Sequence, residues 1–306
     1  MKTYAILSVL IFVSISFSAS AQQQNSKSIS RIQVNSLYVQ TGFLLQGGAD
    51  GTLADFNRLA PNSTLMGSNN LNNFFETRTS SVSVDGIFSV MLGLQFSNKQ
   101  KQAYKANPLL RLGVSYFSGN TLTYRINNNE SKTFDTLTSA LTGETFYLDS
   151  SISKDYSMKY SLEQLRFDGS LIFRTNPESR CSLFAGIGFT VGYSLNAKTV
   201  IEYDYSSYQQ VRSPGTNSVS AYGAYSSRYN GDNTKRERFK NKNNFGASVY
   251  IPLGFDFRLG RKRPFFKRIH LYYELRPGVN FTDIPELRKT TNASILSAFG
   301  LRVGLN

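Results

Sequence analysis

The stretch VSVDGIFSVMLGLQFS, residues 82–97, separates into two unlike rows when every second residue is taken, which is the period of a β-strand. Val82, Val84, Gly86, Phe88, Val90, Leu92, Leu94 and Phe96 form one row. Ser83, Asp85, Ile87, Ser89, Met91, Gly93, Gln95 and Ser97 form the other. A strand this long with one apolar row must either bury that row in a core or turn it towards lipid. The fold that this chain adopts depends on which of the two it does.

Eight segments alternate in this way: 31–45, 82–97, 108–126, 156–175, 181–195, 245–259, 269–281 and 294–306. Each is long enough to cross a bilayer, which takes about 9–11 tilted residues. In the first, the apolar phase moves from Ile32 and Val34 to Leu37 and Val39, which predicts a bulge near Ser36. In the fourth, Tyr156, Met158, Tyr160 and Leu162 hold one parity and Leu165, Phe167, Leu171 and Phe173 the other, which again reads as a bulge. The third places Leu110, Leu112, Val114, Tyr116 and, further out, Leu122 and Tyr124 on one face. Gly186, Gly188, Thr190, Gly192 and Ser194 in the fifth make a face of small residues beside which large side chains fit. Pro252, inside the sixth, has no amide hydrogen to donate and marks an irregularity.

The connections alternate between short and long. NKQKQAYKAN, NPES and GRKRPFFK are short, whereas about 46–80, 127–155 and 197–243 are long and rich in Ser, Asn, Thr and Tyr; 282–292 is intermediate. KTVIEYDYSSY (198–208) still alternates, so strands are expected to continue past the membrane as extended hairpins. Short turns at one end and long loops at the other are the layout of an up-and-down transmembrane barrel with periplasmic turns and extracellular loops.

The polar rows decide between lipid and a core. They carry both signs: Asp85, Arg111, Arg166, Asp168, Arg174, Asp256, Arg258, His270, Glu274, Arg276 and Arg302. A narrow eight-stranded barrel is filled by side chains, so these residues are expected to form an interior polar network, with Glu274 and Arg302 paired diagonally between the last two strands. The apolar rows would then face lipid. A soluble lipocalin-like barrel is the alternative, but it fits poorly with outer faces rich in glycine.

The start of the chain agrees with export. Lys2, the apolar run YAILSVLIFVSISF and the A-x-A pair Ala19 and Ala21 read as a signal peptide over 1–21, leaving 22–306 as the barrel domain; an uncleaved anchor is the alternative. With a single cysteine, Cys181, no disulfide is available within the chain, and no later stretch approaches about 18 consecutive apolar residues. The net charge of +14 gathers at 99–105 and 260–268. An exported chain does not meet nucleic acid, so anionic lipid headgroups or cell-wall polymer are the expected partners of those segments, a solvated turn being the alternative.

With these eight segments the chain resembles the small eight-stranded outer-membrane barrels, the OmpA and OmpX-type transmembrane domain. The ending AFGLRVGLN, with Phe299, Leu301, Val303 and Leu305 alternating, is similar to the terminal signal read by the barrel-assembly machinery. It ends in Asn306 and not an aromatic residue, as in Bacteroidetes-type barrels. The resemblance implies an integral protein of the outer membrane of a Gram-negative bacterium, with outer-membrane lipids and the barrel-assembly machinery as partners.

Chemistry is sparse. His270 lies on the polar row near the short-turn end, away from the outer rim where small lipid-modifying barrel enzymes carry their histidine, so it is expected to be a satisfied interior residue. GADGTLADFN (48–57) lacks the spaced acids and closing Glu of a calcium loop. No catalytic, cofactor or metal residues are expected. The Tyr-, Ser- and Gly-rich stretch 202–231 suits contact with a protein or glycan partner, a solvated loop being its plainer reading. The reading is a non-enzymatic outer-membrane scaffold with interacting loops. A subunit of an envelope secretion or assembly complex is the alternative, ahead of a lipid-modifying enzyme or a narrow pore.

Overall fold

The computed structural model describes residues 31–47, 49–67, 71–77, 82–98, 100, 103–176, 179–212, 233–260, 263–287 and 289–305. The expected signal peptide, residues 213–232 of the Tyr-rich stretch, and parts of the two basic links lie outside the described residues. In chain order the first elements are β1 (Ile32–Gly47), β2 (Ala49–Asp50), α1 (Leu53–Leu59), α2 (Thr64–Gly67), a 3-10 turn (Leu71–Asn73) and β3 (Phe75–Glu76). Then come β4 (Val82–Asn98), β5 (Ala103–Thr138), β6 (Thr145–Arg174), β7 (Cys181–Arg212) and β8 (Asn233–Lys240). The chain continues with β9 (Phe245–Tyr250), β10 (Leu253–Arg258), α3 (Pro264–Arg268), β11 (Ile269–Asp283) and β12 (Lys289–Gly304).

The strands close into a ring. β1 pairs with β12 and β4, β4 with β5, β5 with β6, β6 with β7, and β11 with β12, all antiparallel. The eighth wall is β9 followed by β10, each paired with both β7 and β11. The break between them falls at Ile251 and Pro252, where the missing amide hydrogen interrupts the ladder. The result is an eight-stranded antiparallel up-and-down barrel, and closure removes the unpaired edges that lipid cannot satisfy.

The two rows of each strand now have addresses. On β7, Leu183, Ile187 and Leu195 are 59%, 60% and 57% exposed, while Ser182, Thr190 and Ser194 on the other parity are buried. Phe43, Val84, Val114, Phe173, Val249, Phe255, Leu271, Ile295 and Phe299 extend the outward apolar surface to the other walls. A barrel with apolar residues outside and buried charges inside is built for lipid, and these strands span a membrane. No described helix is long and apolar enough to do so.

The bulge expected near Ser36 is present, as a register shift between Val34 and Ser36. Two other expectations are corrected. Leu122 does not share the outward face of Tyr116, because the β5–β6 register shifts between Asn120 and Leu122 and turns Leu122 inward, 4% exposed. The phase change in β6 is not a bulge of that strand. Tyr156, Met158, Tyr160 and Leu162 are buried on the same parity as the buried Gln164, Arg166 and Asp168. The irregularity opposite Glu163 and Gln164 lies in β7, where Leu195 is the extra residue.

The interior therefore has two levels: polar within the membrane and apolar towards the long-loop end. The first long connection supplies part of the upper level. Thr52 and Asp55 form a capping box that starts α1, which commits this aspartate to the helix terminus. Phe56 and Leu59 of α1 and Leu65 and Met66 of α2 pack in one cluster with Leu122, Ile126, Tyr156, Met158, Tyr160 and Ile201. Tyr156 Oη donates to Leu65 O at 3.0 Å, and Asn241 Nδ2 to Leu59 O at 2.8 Å. Glu237 of β8 holds the other end. Its carboxylate accepts from Ser63 Oγ at 2.6 Å, from the Thr64 and Leu65 amides at 3.1 and 3.3 Å, and from the Thr64 hydroxyl.

Two outcomes follow. Phe189→Arg, in the outward row, is expected to cost about 2–4 kcal/mol in urea titrations of the vesicle-inserted protein, against about 0 for Thr136→Arg on the exposed part of β5. At Glu237, partial burial pushes the pKa up, but the Ser63 and Thr64 hydroxyls and the two amides outweigh it and hold the carboxyl below its ordinary 4.5. The contribution of this contact is thus present above pH 4.5 and lost as pH falls through the lower, folded value. Protease cleavage within 51–67 should rise on acidification below the ordinary carboxylate range, and Glu237→Gln should remove that dependence.

Candidate functional site

The inward residues of the membrane-spanning strands form three connected groups. The middle one is built on Glu274 of β11, fully buried. Arg111 of β5 grips it with both terminal nitrogens, Nη1 to Oε2 at 2.6 Å and Nη2 to Oε1 at 3.0 Å. Arg276 Nε donates to Oε1 at 2.5 Å. Arg276 Nη1 then reaches Asp168 Oδ2 at 2.7 Å. Asp168 also accepts from Ser115 Oγ at 3.2 Å and from the Tyr250 hydroxyl, and Arg111 Nε donates to Ser170 Oγ at 2.9 Å.

Towards the short turns the second group gathers on Asp256. Arg302 Nε lies 2.7 Å from Oδ2, Arg174 Nη1 3.7 Å from the same oxygen, and His270 Nδ1 2.5 Å from Oδ1. His270 Nδ1 is also 2.7 Å from Arg302 Nη2. Arg174 in turn donates to the Tyr38 hydroxyl. Towards the long loops, Asp85 accepts from Gln46 Nε2 at 2.6 Å and from the Asn120 amide at 2.9 Å. Arg166 lies over the Phe117 ring at 4.3 Å and donates through Nε to Gln164 Oε1 at 2.8 Å. Gln164 continues to Asn244 Oδ1 at 2.6 Å, and Asn244 to the Tyr160 hydroxyl at 2.8 Å, where the apolar level begins.

Small residues make this crowding possible. A Cβ on Gly188 would stand 2.4 Å from the Tyr250 ring, and one on Gly119 only 2.0 Å from the Asp85 carboxyl carbon. Any side chain at either position would displace a member of the network.

Of the eleven residues that the polar rows supply, ten are buried in these groups. Arg258 stands apart, half-buried at the short-turn rim, where Nη2 donates to Ser179 O at 3.3 Å. Glu274 does not pair with Arg302, a correction that the β11–β12 register explains. Arg302 lies opposite His270 and Glu274 opposite Ala298, four residues along, or about 13 Å of strand. Tyr38, Gln46, Gln164, Asn244 and Tyr250 are network members that charge alone does not reveal. All but Asn244, which lies in the connection just before β9, occupy the inward parity of a strand, and that was the available signal. Among the described residues no cluster of His, Cys, Asp and Glu is arranged to hold a metal ion.

Five buried guanidiniums (Arg111, Arg166, Arg174, Arg276, Arg302) and four carboxylates (Asp85, Asp168, Asp256, Glu274) thus fill the lumen of the membrane span. Several of these charges brace one wall of the ring against another, Arg111 on β5 against Glu274 on β11 and Arg276 on β11 against Asp168 on β6. Glu274→Gln leaves Arg111 and Arg276 short of charge in a buried site. It should destabilise the folded barrel by about 3–5 kcal/mol, whereas Arg111→Met combined with Glu274→Met should recover most of that loss. The folded gel band followed through a urea series measures both.

No family model matches the sequence, and no curated protein matches it. Among solved structures, the chain is similar to Neisserial surface protein A (NspA), with 10% identity over 90% of this chain and 99% of that one, at a TM-score of 0.29. It is also similar to Ail, the attachment invasion locus protein of Yersinia pestis, with 9% identity over 88% and 99% of the two chains, at a TM-score of 0.23.

Proposed function

We propose that the protein is a non-enzymatic integral outer-membrane barrel that serves as a closed scaffold for a surface-binding blade. The observation that carries this reading is strand length. β5, β6 and β7 run for 36, 30 and 32 residues. β1, β4, β11 and β12 have only 16, 17, 15 and 16. From Leu122 to Thr138, β5 carries on the order of 50 Å of extended chain past the level of the bulge. The β5–β6 ladder remains paired throughout, to Thr138 opposite Thr145.

The far part of β5, from Asn129 to Thr138, is exposed on both faces, with Phe134, Leu137 and the nearby Leu141 among the exposed apolar residues. Apolar side chains held out on a rigid sheet are suited to contact with a protein or glycan. The reading of a closed, non-catalytic barrel draws its support from the ion pairs that fill the lumen and from His270, buried against Asp256 and Arg302.

The test is to shorten the blade. Joining Asn129 to Ser153 through an Asn-Gly turn removes the tip while keeping the ladder below it in register. The shortened protein should still migrate differently on gels with and without heating and show no steady conductance in planar bilayers. Cells displaying it should lose attachment to protein or glycan surfaces that bind the full chain. Unchanged attachment, together with open-channel conductance of the full chain, would replace this reading with that of a pore.

A further inference from the structure

We propose that the short-turn end of the barrel is a docking surface for anionic phospholipid headgroups of the adjacent leaflet, with α3 lying in the headgroup layer. This rests on the reading of the chain as an outer-membrane barrel. The exposed charges divide by end. Arg31, Lys105, Arg180, Arg263, Lys267 and Arg268 are exposed at the short-turn end. The one described carboxylate on that side, Asp256, is 2% exposed and engaged inside the wall. The other described carboxylates lie higher in the barrel or at the long-loop end, where exposed acids and bases are mixed, as in the Lys154–Glu130 pair. The six cations make no ion pair with a carboxylate among the described residues, so the described part of this rim offers a positive field that an anionic surface would neutralise.

A second observation selects lipid over a soluble anion. Within α3, Phe265 and Phe266 are 68% and 40% exposed and meet edge to face at 5.4 Å. The turn that presents them is closed tightly, with the Gly260 amide donating to Phe266 O at 3.0 Å and the Lys267 amide to Arg263 O at 3.1 Å. A Cβ on Gly260 would stand 2.3 Å from that of Phe266, so only glycine allows this approach. The rings also continue the lipid-facing surface, since Ile32, Leu259 and Leu305 at the same end are exposed as well. Arg180 lies over the Phe257 ring at 4.7 Å, its charged end placed at the margin of the apolar band. Aromatic rings flanked by cations at the edge of a lipid-facing band match an interface where acyl chains give way to phosphates.

The experiment uses the full chain in nanodiscs of mixed phosphatidylglycerol and phosphatidylcholine, released in the mass spectrometer so that retained lipids are counted. The wild-type protein should retain phosphatidylglycerol beyond its share of the bilayer. Arg263→Gln, Lys267→Gln and Arg268→Gln together should bring that share down to the bulk ratio, since each cation near a membrane surface is worth about five-fold in binding. Phe265→Ser with Phe266→Ser should reduce the number of retained lipids of both kinds. Equal retention of the two lipids by the wild type, or unchanged selectivity in the triple variant, would overturn the proposal. So would saturable binding of peptidoglycan fragments that competes with the lipid. Heat-dependent gel mobility of every variant tests the barrel separately: if the wild type lacks it and stays soluble without detergent, the membrane reading fails and this proposal with it.

Discussion

The interior depends on one carboxylate held between two arginines. In the ring order β12, β1, β4, β5, β6, β7, β9/β10, β11, the strands carrying Arg111 and Glu274 stand opposite one another, four places apart in either direction. Their two parallel hydrogen bonds therefore cross the full width of the lumen. Arg276 turns the same charge towards Asp168 on β6, and Arg174 links β6 to Tyr38 on β1 and to Asp256 on β10. Backbone hydrogen bonds join each wall only to its neighbours, so these side chains are the ties between walls that do not touch.

The change of polarity along the interior has a simple cause. Within the membrane the outside is lipid, so charge is placed inside. Past the membrane the outside is water, and β6 reverses the assignment without changing which parity points inward. Leu162 and Gln164 are both buried, the first in the apolar cluster and the second in the polar network. The Gln164, Asn244 and Tyr160 chain of hydrogen bonds joins the two levels so that neither meets an unsatisfied partner. Because α1 and α2 fill the upper level, the first long connection belongs to the core of the protein.

The eight walls, the outward apolar rows, the break at Pro252 and the bulge near Ser36 were legible in the sequence because each is a local matter of period and backbone hydrogen bonding. The partners inside were less so. Glu274 and Arg302 are close in strand order, but which groups meet across a lumen depends on register summed around the ring, including the shifts at Thr121 and Leu195 that no local pattern announces. The inversion in β6 was missed for a different reason. Alternation reports that two faces differ, and it does not say what solvent each face meets. Tyr156 to Leu162 carry the pattern of a lipid-facing row and are instead the wall of a core.

Buried ion pairs contribute little net stability when weighed against apolar packing of the same volume. Their value in this barrel lies in register. Sliding β11 by one residue would bring Leu271, Tyr273 and Leu275 inward and turn His270, Glu274 and Arg276 towards lipid, since the side-chain period is two. Arginine at the bilayer midplane costs about 2–4 kcal/mol, and the partners left behind on β5, β6 and β10 would lose their counter-charges as well. A strand with small polar residues on its inward row would make the same slip for far less. β7 has such a row in Ser182, Gly186, Gly188, Thr190, Gly192 and Ser194, and it lies between β6 and β10, whose charged inward rows are themselves fixed across the lumen. The charged strands hold their own alignment, and the glycine-lined one takes its alignment from them.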